Sequence, residues 1–236
     1  MNDLTTKDVN EMHNSLRPNA RRAKTAITLI WVILILDIFS FISAYLQYGL
    51  LYAPEISEEA AEANDLRQQI IGGVYLVCFV ISAVTFIKWF RRAYYNLSQV
   101  DSYVSYSSND VAISWFLPII NLFKPYQITK ELYQKTKQLL TENSIESSVK
   151  LSTSTVIAWW TLWVINSILG QIALRLARNT NTVDDLLLST WLDMASSLIG
   201  IPLALLAIKV IRDYATVEPL LYEIQSEDLK IESAMT

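Results

Sequence analysis

The chain has 236 residues, 52% of them apolar and only 18% charged, against about 25% charged in an ordinary soluble domain. A single cysteine, Cys78, and a single histidine, His13, leave no internal disulfide, no cysteine or histidine metal cluster and no Ser-His-Asp arrangement. The net charge of −4 says little about partners, because the charge is segregated along the chain.

Residues 1–25 form a polar tail carrying Lys7, Arg17, Arg21, Arg22 and Lys24. The apolar run Ala26–Leu50 follows. A helix rises about 1.5 Å per residue, so about 20 apolar residues cross a hydrocarbon core of about 30 Å. This run is long enough. It is longer than the apolar part of a signal peptide, roughly 7–15 residues, and is read as a signal anchor. The loop after it is acidic, and Ser57 before Glu58 and Glu59 reads as a helix start. Ile70–Phe90 is the second span.

The segment between the second and third spans contains SWFLPIINLFKPYQ, Ser114 to Gln127. Its apolar part, Val111–Phe123, is too short to span and suits a re-entrant or interfacial element. Pro118 breaks a helix there, and backbone freed in this way cannot face lipid. Asn121 is placed to satisfy such groups, and Trp115 and Phe123 suit the headgroup level. Beyond Pro125, Ile128, Leu132 and Leu139 share a helix face, with Tyr133 and Leu140 widening it. This predicts an amphipathic helix lying in the membrane plane, so that 111–140 is an interfacial segment. The third and fourth spans are 156–176 and 186–210, and residues 214–236 form an acidic tail. Ile87-Lys88-x-x-Arg91 recurs as Ile208-Lys209-x-x-Arg212. That pattern fits either a duplicated hairpin or simple basic capping of span ends.

All lysines and arginines except Arg67, Arg175 and Arg178 fall in the two tails, at the ends of spans beside them, or in the central segment. The positive-inside rule therefore places both termini and the central segment in the cytoplasm. Within the spans, Asp37 and Asn166 lie at similar depth and are expected to hydrogen-bond across helices as a structural clamp. The alternative role is a proton or cation site. Arg175 and Asp193 are placed to form an ion pair in the outer part of their spans. Arg91, Arg92 and Asn96 are expected to tie the broken segment 115–125 to the bundle by covering its freed carbonyls.

Three groups of residues carry a family resemblance: Trp89-Phe90-Arg91-Arg92-x-x-x-Asn96, Trp115-Phe116-x-Pro118-x-x-Asn121-Leu122-x-x-Pro125 and Trp159-Trp160-x-x-Trp163. Over about residues 25 to 215 the chain resembles the bacterial domain-of-unknown-function 4328 family. The family pattern often has glycine before the Trp-Phe pair, where this chain has Ser114. The resemblance implies a multi-spanning bacterial membrane protein and no established activity. The positions that match its motifs are Trp89, Arg91, Arg92, Asn96, Trp115, Pro118, Asn121 and Pro125.

The expected architecture is all-α: a four-helix transmembrane bundle, residues 26–213, with a cytoplasmic re-entrant or interfacial element between spans two and three. No Walker-type loop, Gly-x-Gly-x-x-Gly, His-Glu-x-x-His or Gly-x-Ser-x-Gly occurs. The reading is a non-enzymatic scaffold or partner-binding component of the bacterial inner membrane. It needs no cofactor or metal. Lipids, protein partners or further copies of the chain would bind it, and nucleic acid would not. The alternative is a small transporter or channel component using 115–125 and Asp37.

Overall fold

The computed structural model describes residues 16–117, 119–177 and 182–235. The described residues are helical with no strand. In chain order the helices are α1 (Ala20–Leu51), α2 (Glu58–Val100), α3 (Ser108–Ile113), a 3-10 turn (Ile120–Leu122), α4 (Lys124–Glu142), α5 (Thr153–Ala177), α6 (Val183–Val217) and α7 (Leu220–Met235). Four of them, α1, α2, α5 and α6, are long and apolar enough to cross a membrane.

Local chemistry sets the helix ends. The Ser57 hydroxyl accepts the Ala60 N–H, and α2 begins at Glu58, with Glu58 and Glu59 in its first turn where the helix dipole favours acids. Helix α3 opens with a reciprocal capping box between Ser107 and Asp110. Pro125 sits in the first turn of α4, where its missing N–H costs nothing. It therefore starts the helix that the sequence pattern predicts beyond Pro125. Pro118 itself lies outside the described residues.

The spanning helices are ordered inside out. On α1, Ile30, Leu34, Asp37, Ala44 and Gln47 are buried, while Ile35, Phe39, Ile42 and Leu46 are exposed. The spacings of three, four and seven residues follow the helical period, so one stripe packs and the other presents apolar surface suited to hydrocarbon. The apolar part of α2 exposes Ile70, Val74, Val77 and Ile81 in the same manner.

Two compact units emerge. The first comprises residues up to Ala26, Val84–Ile157 and the chain from Val210 onward. Its core is aromatic and aliphatic, with Trp89, Phe90, Tyr94, Leu97, Tyr133 and Tyr214 fully buried. The second comprises Ile27–Ala83 and Ala158–Lys209. Trp159, Trp160 and Trp163 cluster in it, the last two rings stacked at 4.5 Å.

Candidate functional site: buried polar clusters

The second unit holds the intramembrane polar groups. Asp37 is buried, and its carboxyl lies over the backbone of Gly200 on α6. A Cβ built on Gly200 would come within 2.6 Å of Asp37 Oδ2. Gly200 is therefore the seat that lets α1 and α6 close on a carboxyl. The Tyr75 hydroxyl on α2 is within hydrogen-bonding reach of the same carboxyl. Asp37 thus joins three helices. Its expected partner is not Asn166. The Asn166 Oδ1 accepts the Ser196 hydroxyl of α6 at 2.8 Å instead. Depth along a span follows from residue count, but the direction a side chain takes around the axis depends on packing, and packing overrode the expected pair.

A second polar chain joins α1, α2 and α6. Gln47 Nε2 donates to Thr190 Oγ1 at 2.8 Å, and Asn64 Nδ2 donates to Gln47 Oε1 at 3.2 Å. Arg67 donates to Asn64 Oδ1 at 2.6 Å and to the Ser43 hydroxyl at 3.0 Å. The sequence reading used Arg67 only as an orientation charge and did not single out Gln47, Asn64 or Thr190. The signal available was a polar residue recurring every three to four positions on α1: Asp37, Ser40, Ser43 and Gln47. Arg175 and Asp193 are both exposed, and no ion pair joins them.

In the first unit the family-motif residues meet, in an arrangement different from the expected one. Glu218, between α6 and α7, is buried. Its carboxylate accepts Asn96 Nδ2 at 2.7 Å and Asn19 Nδ2 at 3.1 and 3.0 Å. Asn96 also brackets one residue of the N-terminal stretch, its Oδ1 accepting the Arg17 N–H at 3.0 Å and its Nδ2 donating to the Arg17 carbonyl at 2.9 Å. Asn19 Nδ2 further reaches the Trp89 carbonyl at 3.3 Å. The Arg92 charge bears on Glu218, and the Arg17 guanidinium lies 4.5 Å over the Tyr95 ring. The chain's N-terminal stretch, the end of α2 and the start of α7 are thereby clasped together. Asn96 and Arg92 serve this clasp, and among the described residues no hydrogen bond joins them to segment 115–125. Arg91 donates to Asn109 Oδ1, ahead of that segment, at 3.0 Å. In the sequence Glu218 is one acid of the acidic tail 214–236, since nothing local marks a carboxylate that distant amides will cover.

The tie to segment 115–125 exists, and it is aromatic. Trp115 meets Phe86 edge-on at 5.4 Å and Phe90 at 6.4 Å. Asn121 does not satisfy freed backbone donors: its Oδ1 is buried and accepts no hydrogen bond among the described residues. The apolar face of α4 is covered by protein, where lipid was the expected cover. Ile128, Leu132, Tyr133, Thr136 and Leu140 are buried against protein, with Leu139 turned partly outward. Tyr133 donates to the Val210 carbonyl at 2.7 Å, and Thr136 meets Tyr214 at 3.4 Å. The amphipathic stripe was legible; what covers it was not, because a stripe fits a helix partner as well as lipid.

An open groove of about 840 Å³ runs along the polar side of α4, lined by Tyr106, Gln127, Glu131, Lys135 and Gln138 among others. Glu131, its central acid, is already held by the Tyr94 hydroxyl at 3.0 Å and the Ser105 N–H at 2.8 Å. Among the described residues no group of histidine, cysteine or acidic side chains is placed to hold a metal ion.

A family model, Domain of unknown function (DUF4328), matches residues 52–216. The chain belongs to the DUF4328 family. The match takes in α2 to α6, and so all the motif positions named above. It leaves out α1 and α7, and with them Asp37, Asn19 and Glu218, which complete the two buried clusters of this DUF4328 protein. No curated protein and no solved structure matches the chain.

Proposed function

We propose that this chain is a non-enzymatic scaffold or partner-binding component of the bacterial inner membrane, with both termini cytoplasmic and with 115–125 as a re-entrant anchor, not a gate. The observation that carries this reading is the placement of Asp37. The one acid near the middle of a span is buried over Gly200 and beside Tyr75, so it serves to close three helices and lines no pathway. Asn166 and Gln47 are used in the same way, on Ser196 and Thr190. Interhelical polar contacts of this kind contribute about 0.6–2 kcal/mol each and hold a bundle in register. Lipids surround such a component, and protein partners or further copies of the chain complete it.

The test is thiol accessibility in a Cys78→Ser background. Single cysteines at positions 37, 47 and 166 are probed with a membrane-impermeant reagent in intact cells and inverted vesicles. Silence at all three is expected. One-sided labelling at 37 would instead mean a water-filled route to mid-membrane and would favour a small transporter.

A further inference from the structure

The segment 113–123 has more to say than that it anchors. Within eleven positions it exposes Ile113, Phe116, Leu117, Ile119, Leu122 and Phe123. Phe116 and Ile119 are 73% and 76% exposed. Exposed apolar surface gathered on one short segment marks an interaction site, and α4 does not cover it, because the apolar face of α4 is already packed around Tyr133 and Leu132.

Three features say what the occupant is. The first is depth. Trp115 is held edge-on by Phe86 and Phe90, which form the last turn of the apolar run 70–90. A residue pinned there sits at the level where a spanning helix leaves hydrocarbon, and indole rings settle at that boundary. The second is the collar. The two feet of the segment are polar and joined, with Asp110 and Lys124 3.6 Å apart as an ion pair and Lys124 lying 5.5 Å over the Tyr106 ring. Charged groups thus stop where the apolar tip begins, the order expected across a headgroup boundary. The third is continuity. Val84, just before the Phe86 and Phe90 contact, is itself exposed on α2, so the aliphatic surface of the span runs up to the segment.

We propose that the exposed side chains of Ile113, Phe116, Leu117, Ile119, Leu122 and Phe123 form a wedge inserted among the acyl chains of one leaflet, with lipid hydrocarbon as their partner, while the backbone N–H groups of 114–116 and 121–123 are hydrogen-bonded locally. This rests on the anchor reading of 115–125 and adds the occupant and the depth. The wedge stops in one leaflet because about ten residues between joined feet are too few to cross.

The full-length Cys78→Ser protein would carry a single cysteine in Phe116→Cys or Ile119→Cys, with Leu122→Cys as a further site on the same tip should either fail to elute as folded protein. Tyr103→Cys, at an 85% exposed loop position, supplies the aqueous reference. Each is labelled with an environment-sensitive fluorophore and reconstituted in phosphatidylcholine–phosphatidylglycerol vesicles. Labels at 116 and 119 should emit to the blue of the label at 103. They should be quenched several-fold more by a nitroxide carried high on the acyl chain, and several-fold less by aqueous iodide. Iodide quenching equal to that at 103 overturns the wedge. Protection from both quenchers also overturns it and means that protein, such as a second copy, covers the tip. Failure here with position 37 silent leaves the scaffold reading standing; lipid quenching here with position 37 labelled removes that reading and keeps the wedge.

Discussion

Gly200 and Asp37 make a pair in which each residue explains the other. The carboxyl needs a helix surface without a side chain, and the glycine supplies it at 2.6 Å from where a Cβ would stand. Gly200→Ala should destabilise the protein by about 1–3 kcal/mol through overpacking, read as a lower unfolding midpoint in detergent. Asp37→Ala removes the obstacle, so the double variant should be less destabilised than the sum of the two single ones; additive effects would show that the contact does not couple them. Glu218 is the corresponding residue of the other unit. Glu218→Ala removes one acceptor from each of the buried Asn19 and Asn96 amides, leaving them the Trp89 and Arg17 carbonyls, at about 1–3 kcal/mol. It should also free the N-terminal stretch, so that a cysteine at the buried Leu16 position becomes reactive to an aqueous thiol reagent. Protection of that cysteine in the Glu218→Ala protein would mean that Asn96 alone holds the stretch.

Among the elements, α3 offers a short helix whose existence rests on its cap. Ser107 and Asp110 satisfy each other's donors, and the Ser107 N–H, the Ser107 hydroxyl and Lys124 hold the Asp110 carboxyl below its ordinary range. A depressed folded-state value means that Asp110 contributes stability above its unfolded value of about 3.9 and loses it as pH falls through the lower folded value. Asp110→Asn should therefore lower the unfolding midpoint at neutral pH by an amount that shrinks on acidification below about pH 4; a difference independent of pH would place the effect in packing. The elements also show what could be read in advance. Long apolar runs identify α1, α2, α5 and α6, because length against bilayer thickness is a one-dimensional question. The Ser57 cap and the stripe on α4 are equally local. The partners of Asp37, Asn96 and Glu218 are not, since each lies far along the chain and depends on which faces the helices turn to one another. Asn96 carried a family motif, yet its role emerged only when residues 17 and 218 were seen beside it. Pro118, central to the broken-segment reading, lies outside the described residues.

For the whole molecule, charge and packing give independent views of one arrangement. The first unit gathers the N-terminal stretch, residues 84–157 and the C-terminal stretch, and it contains nearly all of the basic residues. Lys209 falls one residue short of it, while Arg67 and Arg175 belong to the second unit. Four spans with both ends on one side also require the 51–57 loop and the start of α6 to share the opposite side. Acids at those places, Glu55, Glu58, Asp184 and Asp185, do not set orientation, whereas lysine and arginine near span ends do. The expected result is a sided pattern in the Cys78→Ser background: cysteines at the exposed Tyr103 and Tyr222 positions are labelled only in inverted vesicles, and one at the exposed Tyr52 position only in intact cells. A reversed pattern would invert the molecule as a whole and move the wedge to the outer leaflet. Labelling of 103 and 222 from different sides would break the count of spans, and no rearrangement of the buried clusters could accommodate it, because the 2.7 Å hydrogen bond from Asn96 Nδ2 to the Glu218 carboxylate ties the end of α2 to the residues just before α7.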